Sequence, residues 1–600
     1  MPELSALIPY FTLFAGTFLA VLAIVPIASA IARLVGLVDA PDARRKFHSN
    51  AVPLVGGVSV FLGMVIACSI VFLFFPNEIF GNQLTSSKVI QVVGLLVAAT
   101  IIVVIGVIDD RFGIRGRQKL LGQIFVSLIV IGTGTWVFSF RVSDKTFDLR
   151  DAWTRTSQPQ VSALHEVIDS DANAKLLEIE RQTKAGEVRV SEADRQNEAV
   201  ARRSKVLKAN VARSYPAITV LYRGLALLAG AFTVFWIVGA INSVNLIDGA
   251  DGLAGTTTFI ISASLAIIAI YTGDYVEGAI AISLAGAILG FLVFNFPPAK
   301  IFFGDAGSML IGLVLASLAV QSFLKEAMIY ICIAPFAMLF IPIFDSATAF
   351  TRRLTTGRSI YSTDRGHLHH TLLRHGLTNR GMVLFVGGLT LVTAVGAVLT
   401  VINRDPSFAI IGVATVVVFL ISAKVFGWAE FRLLCSRIFR FSRSFFKIDK
   451  AVSEPSSVTV QLQGSKEWHK VWEAITEFGE RHDFHKIKLD LNLPWLHEGF
   501  HAVWSTNEKF ESEDIWQTRI PLAANGRVYG RMEVSGVVSN ESIYLVLMLM
   551  SDLLETLEPA LARLADGEDD SVSVPALQTR QEKSGEHPAI SLDDLAASAK

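Results

Sequence analysis

Charged residues make up only 18% of the 600-residue chain, against about 25% in a typical soluble protein. With hydrophobic residues at 52% and mean hydropathy at +0.49, that shortage excludes an ordinary soluble enzyme, because much of the surface has to face lipid. Neither sign of charge is in excess. The 53 Lys and Arg against 54 Asp and Glu leave a net charge of −1, so there is no global basic field to hold a nucleic acid. Cysteine is nearly missing. Cys68, Cys332 and Cys435 lie far apart in or beside apolar stretches, and form neither a disulfide framework nor a metal-type cluster.

Long apolar runs are present instead. A spanning helix needs about 20 mostly apolar residues. Eleven stretches qualify: 7–32, 54–75, 89–108, 119–139, 217–241, 253–271, 276–296, 307–323, 327–350, 381–401 and 407–426. The first is too long for a signal peptide and no small-residue cleavage site follows it, so it reads as a retained span. Lys and Arg mark cytoplasmic loops. They gather after the first span (Arg44, Arg45, Lys46), the third (Arg111, Arg115, Arg117, Lys119) and the ninth (Arg352, Arg353, Arg358, Arg365, Arg374, Arg380), while the alternate short loops hold little beyond Lys88, Lys325 and Arg404. This predicts an N-terminus outside and a C-terminus in the cytoplasm.

Two polar regions interrupt the pattern. Residues 141–216 are highly charged with mixed signs and suit an extracytoplasmic helical hairpin. In 451–565, VTVQLQ and KIKLDL alternate with period two, Asn525-Gly526 sits between strand-like runs, and a helix is expected over 541–564. The tail 566–600 is acidic and polar and is expected to be disordered. The predicted fold is therefore an all-α polytopic membrane protein of about eleven transmembrane helices, residues 1–430, with a small α+β soluble C-terminal domain at 451–565.

Ionisable groups at span ends mark functional sites, and five such clusters fall on the cytoplasmic side. The first, 39–57, combines Arg44, Arg45, Lys46 and His48 with Gly56-Gly57, a pattern suited to a phosphate. In the second, Asp109 and Asp110 end an apolar run. Adjacent carboxylates at a membrane boundary repel unless a cation is near, and Mg²⁺ is the hard ion that prefers them. The third, NSVNLIDGADGLAG, spaces Asn242, Asn245, Asp248 and Asp251 by threes, so that one helical face can present several together. The fourth places Asp305 and Ser308 beside Gly304 and Gly307 at the mouth of a span, where a carboxylate can hold a metal while free amides face a phosphate. The fifth, STDRGHLHHTLLRHG, offers His367, His369 and His370 with Arg365 and Arg374. Its histidine spacing is poor for zinc and better suited to hydrogen bonding a sugar or phosphate. Together these groups suit Mg²⁺-assisted phosphoryl transfer from a soluble anionic donor to a lipid acceptor.

In this order the five motifs resemble the polyprenyl-phosphate N-acetylhexosamine-1-phosphate transferases, with the phospho-MurNAc-pentapeptide transferases as more distant relatives. The resemblance covers roughly residues 1–430 outside the insert, and NSVNLIDGADGLAG and FFGDAGS are its most specific parts. It implies a bacterial inner-membrane enzyme that starts a cell-envelope polysaccharide such as lipopolysaccharide O-antigen. The lipid phosphate of undecaprenyl phosphate attacks the β-phosphate of a UDP-sugar, giving lipid-diphosphate-sugar and UMP. HLHH resembles the branch that uses UDP-N-acetylglucosamine. By the resemblance Asp305 is the principal Mg²⁺ ligand, with Mn²⁺ as a substitute. Asp109 and Asp110 are a catalytic acidic pair near the metal, and Asp251 joins the catalytic set. Asn245, Asp248 and Asp251 lie at the nucleotide and metal site, Asn295 and Phe302 at the uracil, and His367, His369 and His370 at the diphosphate-sugar, with Asn242 and the counter-charge Arg365 among the substrate-binding residues. Lys46 and His48 match the basic first-loop motif less closely. The position three after the second Asp, acidic or amide in many relatives, is Gly113 here. Whether Asp109 acts as a base or only orients the lipid phosphate is open, because such a phosphate is already anionic near neutral pH.

Other classes fit less well. A transporter keeps its polar groups at the midplane, often in repeated halves. A CDP-alcohol phosphotransferase needs further aspartates on one helix, and a non-enzymatic scaffold leaves the five motifs unexplained. The residues do not separate UDP-N-acetylglucosamine from another UDP-N-acetylhexosamine or UDP-MurNAc-pentapeptide. Nor do they say whether the chain is a homo-oligomer or docks a partner through its C-terminal domain.

Overall fold

The computed structural model describes residues 4–39, 51–74, 85–136, 139–142, 145–148, 158–323 apart from 186, 188 and 214, 329–356, 366–422, 456–463, 468–482, 484–493, 498–506, 515–524, 527–537 and much of 548–559. Contacts divide the chain into two units, residues 1–349 with 367–426, and residues 350–366 with 427–600.

In the first unit, helices α1 (Leu4–Val35), α2 (Gly56–Phe74), α3 (Ser86–Phe112) and α4 (Gly116–Gly132) precede the polar insert. The insert is a short antiparallel hairpin, β3 (Ser139–Val142) with β4 (Lys145–Asp148), then helices α5 (Gln158–Lys184) and α6 (Val190–Arg213). These two helices pack on each other, with Lys208 and Asp169 paired at 2.6 Å. Helices α7 (Tyr215–Ile247), α8 (Leu253–Thr272), α9 (Tyr275–Asn295), α10 (Gly304–Phe323), α11 (Ile329–Met338), α12 (Phe340–Thr356), α13 (Leu368–Arg374), α14 (Asn379–Asn403) and α15 (Ser407–Ser422) follow. A two-stranded ribbon, β1 (Val38–Asp39) with β2 (Val52–Pro53), leads into α2.

Seven of the described helices are long and apolar enough to cross a membrane. The remaining expected spans fall on shorter helices, α2, α4 and α15, and the stretch 327–350 falls on two, α11 and α12, separated at Leu339. Length and composition thus make the chain a multi-pass membrane protein without reaching a count of eleven. The outer helix faces agree with lipid as the solvent: Leu34 is 86% exposed and Phe235 75%, exposures that water would penalise.

Helix α10 is the hub. It packs against α2, α3, α7, α8, α9 and α11, and Met309, Ile311, Leu313 and Leu315 on it are fully buried. Its small residues allow this, because helices approach closely in a bilayer where both present small side chains. Gly57 of α2 and Gly106 of α3 both abut the first turn of α10, at Ala306 and Gly307. Three helix ends are thereby drawn together at one point.

The second unit contains a five-stranded antiparallel sheet, β5 (Ser456–Gln463), β6 (Phe484–Leu493), β7 (Glu498–Ser505), β8 (Ile515–Ala524) and β9 (Arg527–Val537), in the order β5-β7-β6-β9-β8. Strand alternation puts Ile487, Leu489, Leu491 and Leu493 in one core with Trp468, Trp472 and Ile475 of helix α16 (Trp468–Arg481). Ala524 pairs with Arg527 across the turn expected at Asn525-Gly526; these two residues and the tail 566–600 lie outside the described residues. Of the helix expected over 541–564, the described residues within 548–559 are helical.

Candidate active site

The C-terminal end of α3 meets the N-terminal end of α10. Gly113 in the left-handed region (φ 65°) stops α3, its N–H donating to the carbonyl of Asp109 at 2.8 Å. Asp109 and Asp110 therefore sit in the last turn and face different partners. Asp109 Oδ1 accepts the Ile114 amide at 2.9 Å, and Oδ2 lies 2.8 Å from Lys119 Nζ. Asp110 turns its carboxylate onto α10, accepting the amides of Asp305 at 2.8 Å and Ala306 at 3.3 Å. Two of the amides that any helix start leaves unpaired are satisfied in this way. Gly304 just before them has φ +67°, and a Cβ there would lie 2.4 Å from Asp110 Oδ2.

Asp305 is the centre of the cluster. Its Oδ2 is 2.6 Å from Lys119 Nζ, so one ammonium bridges Asp109 and Asp305. Its Oδ1 accepts from Asn245 Nδ2, which also donates to Ser308 Oγ at 2.8 Å. Asn242, one turn before Asn245, is committed elsewhere, donating to Gln123 Oε1 at 2.6 Å. Asp248, in the turn after α7, has Asp305, Asp110 and Asp251 as its charged neighbours. Burial first, then those three carboxylates, hold its carboxyl well above the usual range. Among the described residues Lys119 is the only cation paired with Asp109, Asp110, Asp248 or Asp305.

This donor set suits a hard divalent cation. Asp109 and Asp305 share the single Lys119 ammonium, and Asp248 beside them, an oxygen donor held neutral by its surroundings, has no hydrogen-bond partner among the described residues. As the side chains stand, Lys119 lies between Asp109 and Asp305, and no group of three His, Cys, Asp or Glu among the described residues closes on a single point.

The other expected residues divide into those aimed at the cluster and those that hold the loops. Asp251 Oδ2 accepts the Ala299 amide at 3.0 Å. Asn295, 4% exposed, accepts from Gly252 N at 2.9 Å and donates to the Ile301 carbonyl at 2.8 Å. Both amide ends of Asn295 thus tie together the loops around α8 and α10. Phe302 uses its backbone: its N–H donates to the Pro53 carbonyl at 3.0 Å, and its carbonyl accepts from Gly56 N at 2.9 Å. Through these bonds the first cluster joins the fourth.

The histidine motif arrives on α13. His369 is 3% exposed, and its ring packs on Gly249, where a Cβ would lie 2.8 Å from the imidazole. Neither ring nitrogen has a hydrogen-bond partner, and burial lowers its pKa to about 4, so His369 is neutral at pH 7. His370 lies beside it, ring centroids 4.2 Å apart. His367 Nδ1 is 2.9 Å from Asp345 Oδ2. The second, third and fourth clusters therefore meet at the start of α10, the backbone of Gly56-Gly57 in the first abuts it, and the fifth touches the third at Gly249. Lys46, His48 and Arg365 lie outside the described residues.

The packing of His369 on Gly249 is directly testable. Gly249→Ala is expected to lower stability by about 1–3 kcal/mol through overpacking, read as the unfolding midpoint in detergent. Adding His369→Ala should restore most of it. A Gly249→Ala protein as stable as wild type would mean that the ring does not rest there.

Sequence reasoning missed three polar residues: Lys119, Gln123 and Asp345. Asp345 was the most visible, as the one carboxylate in the apolar stretch 327–350.

The glycosyl transferase family 4 sequence profile matches residues 92–156 and 206–323. The gap between the two matched parts takes in helix α5 and most of α6. A probable undecaprenyl-phosphate N-acetylglucosaminyl 1-phosphate transferase of Bacillus subtilis is 26% identical over 385 residues, 64% of this chain and 83% of that protein. A decaprenyl-phosphate N-acetylglucosaminephosphotransferase of Mycobacterium tuberculosis is 28% identical over 395 residues, 62% of this chain and 78% of its own length. For the undecaprenyl-phosphate alpha-N-acetylglucosaminyl 1-phosphate transferase of Escherichia coli K12 the identity is 23% over 410 residues, 67% and 85%.

Proposed function

We propose that this chain, which belongs to the polyprenyl-phosphate N-acetylhexosamine-1-phosphate transferases of glycosyl transferase family 4, transfers N-acetylglucosamine-1-phosphate from UDP-N-acetylglucosamine to undecaprenyl phosphate. An oxygen of the lipid phosphate forms a bond to the β-phosphorus of the donor. The bond from that phosphorus to the bridging oxygen breaks, and UMP leaves with the electron pair. The observation that carries this reading is the convergence of Asp109, Asn245 and Asp305 on Lys119 and the start of α10, at the ends of spanning helices.

Each residue that the structure describes has a part that its geometry supports; Arg365, Lys46 and His48 take theirs from the sequence alone. Asp305 and Asp109, with Asp248 beside them, would hold Mg²⁺ or Mn²⁺. When bound, the ion neutralises charge on the diphosphate. Lys119 steadies the two carboxylates and offers positive charge to the incoming phosphates. Asn245 fixes the rotamer of Asp305. Asp110, expected at the metal, is better placed to seat the first turn of α10. Asp251 and Asn295 hold the loops that border the donor. His367, His369 and His370 face the sugar-diphosphate, with Arg365 as a counter-charge, and Lys46 and His48 serve the lipid phosphate. No strong base is needed, since the attacking oxygen is already anionic near pH 7. The loop charges support an orientation with the site and C-terminal domain in the cytoplasm, and the bacterial relatives support a bacterial inner membrane. The product would start a cell-envelope polysaccharide.

The test is UMP release from membranes containing the protein, given UDP-N-acetylglucosamine, undecaprenyl phosphate and Mg²⁺. Release is expected to need all three and to stop with EDTA. Release that ignores the lipid, survives EDTA, or occurs only with another UDP-sugar overturns the corresponding part.

A further inference from the structure

We infer that Asp345 is a positioning residue for the reaction, fixing the ring orientation and tautomer of His367 at the donor site. The inference rests on the function proposed above. Asp345 lies on α12, as the one charged residue of the stretch PIFDSATAF, and is 1% exposed. A carboxylate so deeply buried persists only if its oxygens are used. Both are: Oδ2 lies 2.9 Å from His367 Nδ1, and Oδ1 accepts the Leu368 amide at 2.8 Å.

The two contacts do different things. Leu368 N is the first amide of α13, which follows His367 as its N-cap, and such amides have no partner within their own helix. Asp345 Oδ1 supplies one from another helix. At Oδ2 the partner is a ring nitrogen. A carboxylate only accepts, so His367 Nδ1 carries a proton, and Nε2 is the nitrogen left for the donor. The ring is 6% exposed and cannot turn freely. A buried carboxylate, a histidine and a polar substrate in line recur wherever an imidazole must be held in one tautomer. His369 beside it has no such partner on either nitrogen, so the two histidines differ in what fixes them.

Asp345→Asn separates capping from positioning. The amide oxygen can still accept from Leu368 N, whereas the amide nitrogen facing His367 is a donor and demands the opposite tautomer. We expect kcat/KM for UDP-N-acetylglucosamine to fall roughly 10–100-fold, the range for losing a partner that orients a functional histidine. The KM for undecaprenyl phosphate should stay within about twofold. In a His367→Ala background the same substitution should add nothing, since its effect passes through the ring. A second readout needs no turnover. In ¹⁵N-histidine-labelled protein, the His367 Nδ1–H signal, assigned by its loss in His367→Ala, should be present in wild type and replaced by Nε2–H in Asp345→Asn. An Nδ1–H signal unchanged by Asp345→Asn overturns the pairing whatever the protein's donor. Losses that add in the His367→Ala background, or that fall equally on both substrates, reduce Asp345 to a helix cap and overturn its positioning role.

Discussion

Asp305→Asn is expected to abolish UMP release in protein that still inserts and folds. The amide keeps the shape of the side chain, and its oxygen can still accept from Asn245. What disappears is the charge that faces Lys119 at 2.6 Å and, with Asp109, balances it. A group aimed at where charge develops during phosphoryl transfer is worth about 10²–10³ in turnover when removed alone, and on the proposed reading the loss of a Mg²⁺ ligand would compound this. Folding should survive, because the start of α10 is held by the Asp110 carboxylate and by close helix contacts and not by the Asp305 side chain. Turnover is measured at saturating Mg²⁺ on purified protein of wild-type thermal stability. A folded variant keeping more than about a tenth of wild-type turnover, a loss under about 1.4 kcal/mol, removes Asp305 from the centre of the mechanism.

Which polar groups gather was legible from residue type and position, because a bilayer leaves few reasons to keep a carboxylate at the end of a span. What each does was less so. Asp109 and Asp110 are adjacent and chemically identical, yet one faces an ammonium and the other two backbone amides. That difference is set by a helical rotation of about 100° per residue and by the place where α10 begins, neither of which is written locally. Asn295 and Asp251 bond to backbone in the same way, so the loops that border the cluster are braced by residues that look functional in sequence. Lys119 was hidden for the opposite reason. Cations in that loop already had an explanation as cytoplasmic anchors, and only the fold brings Nζ between two carboxylates 10 and 186 positions away.

The helices were legible from hydropathy, since apolar runs in lipid have to satisfy their backbone internally. Where one ends was not. The stretch 327–350 reads as a single span, but α11 stops at Met338 and α12 starts at Phe340, and a hydropathy window does not register a break between equally apolar residues.

The close contact of α2, α3 and α10 leads to the second large effect. Gly57→Ala and Gly106→Ala are each expected to lower turnover about 100-fold although neither removes a functional group. A Cβ at Gly57 would lie 2.2 Å from the backbone nitrogen of Gly307, and one at Gly106 would lie 2.3 Å from Ala306 Cα. Both obstacles are backbone, so no side chain can swing aside and the helices must separate by about 1 Å. That displacement falls on the first turn of α10, which carries Asp305 and receives Asp110. A shift of about 1 Å at reacting groups can diminish rate by 10²-fold, while overpacking removes about 1–3 kcal/mol of stability. Gly388→Ala on α14 is the control, since nothing lies within 4 Å of its added carbon, and alanine there should be neutral or slightly stabilising. Turnover and unfolding midpoint are measured for all three. If Gly57→Ala and Gly106→Ala turn over like Gly388→Ala, the start of α10 tolerates displacement, and the site does not depend on this convergence of helices.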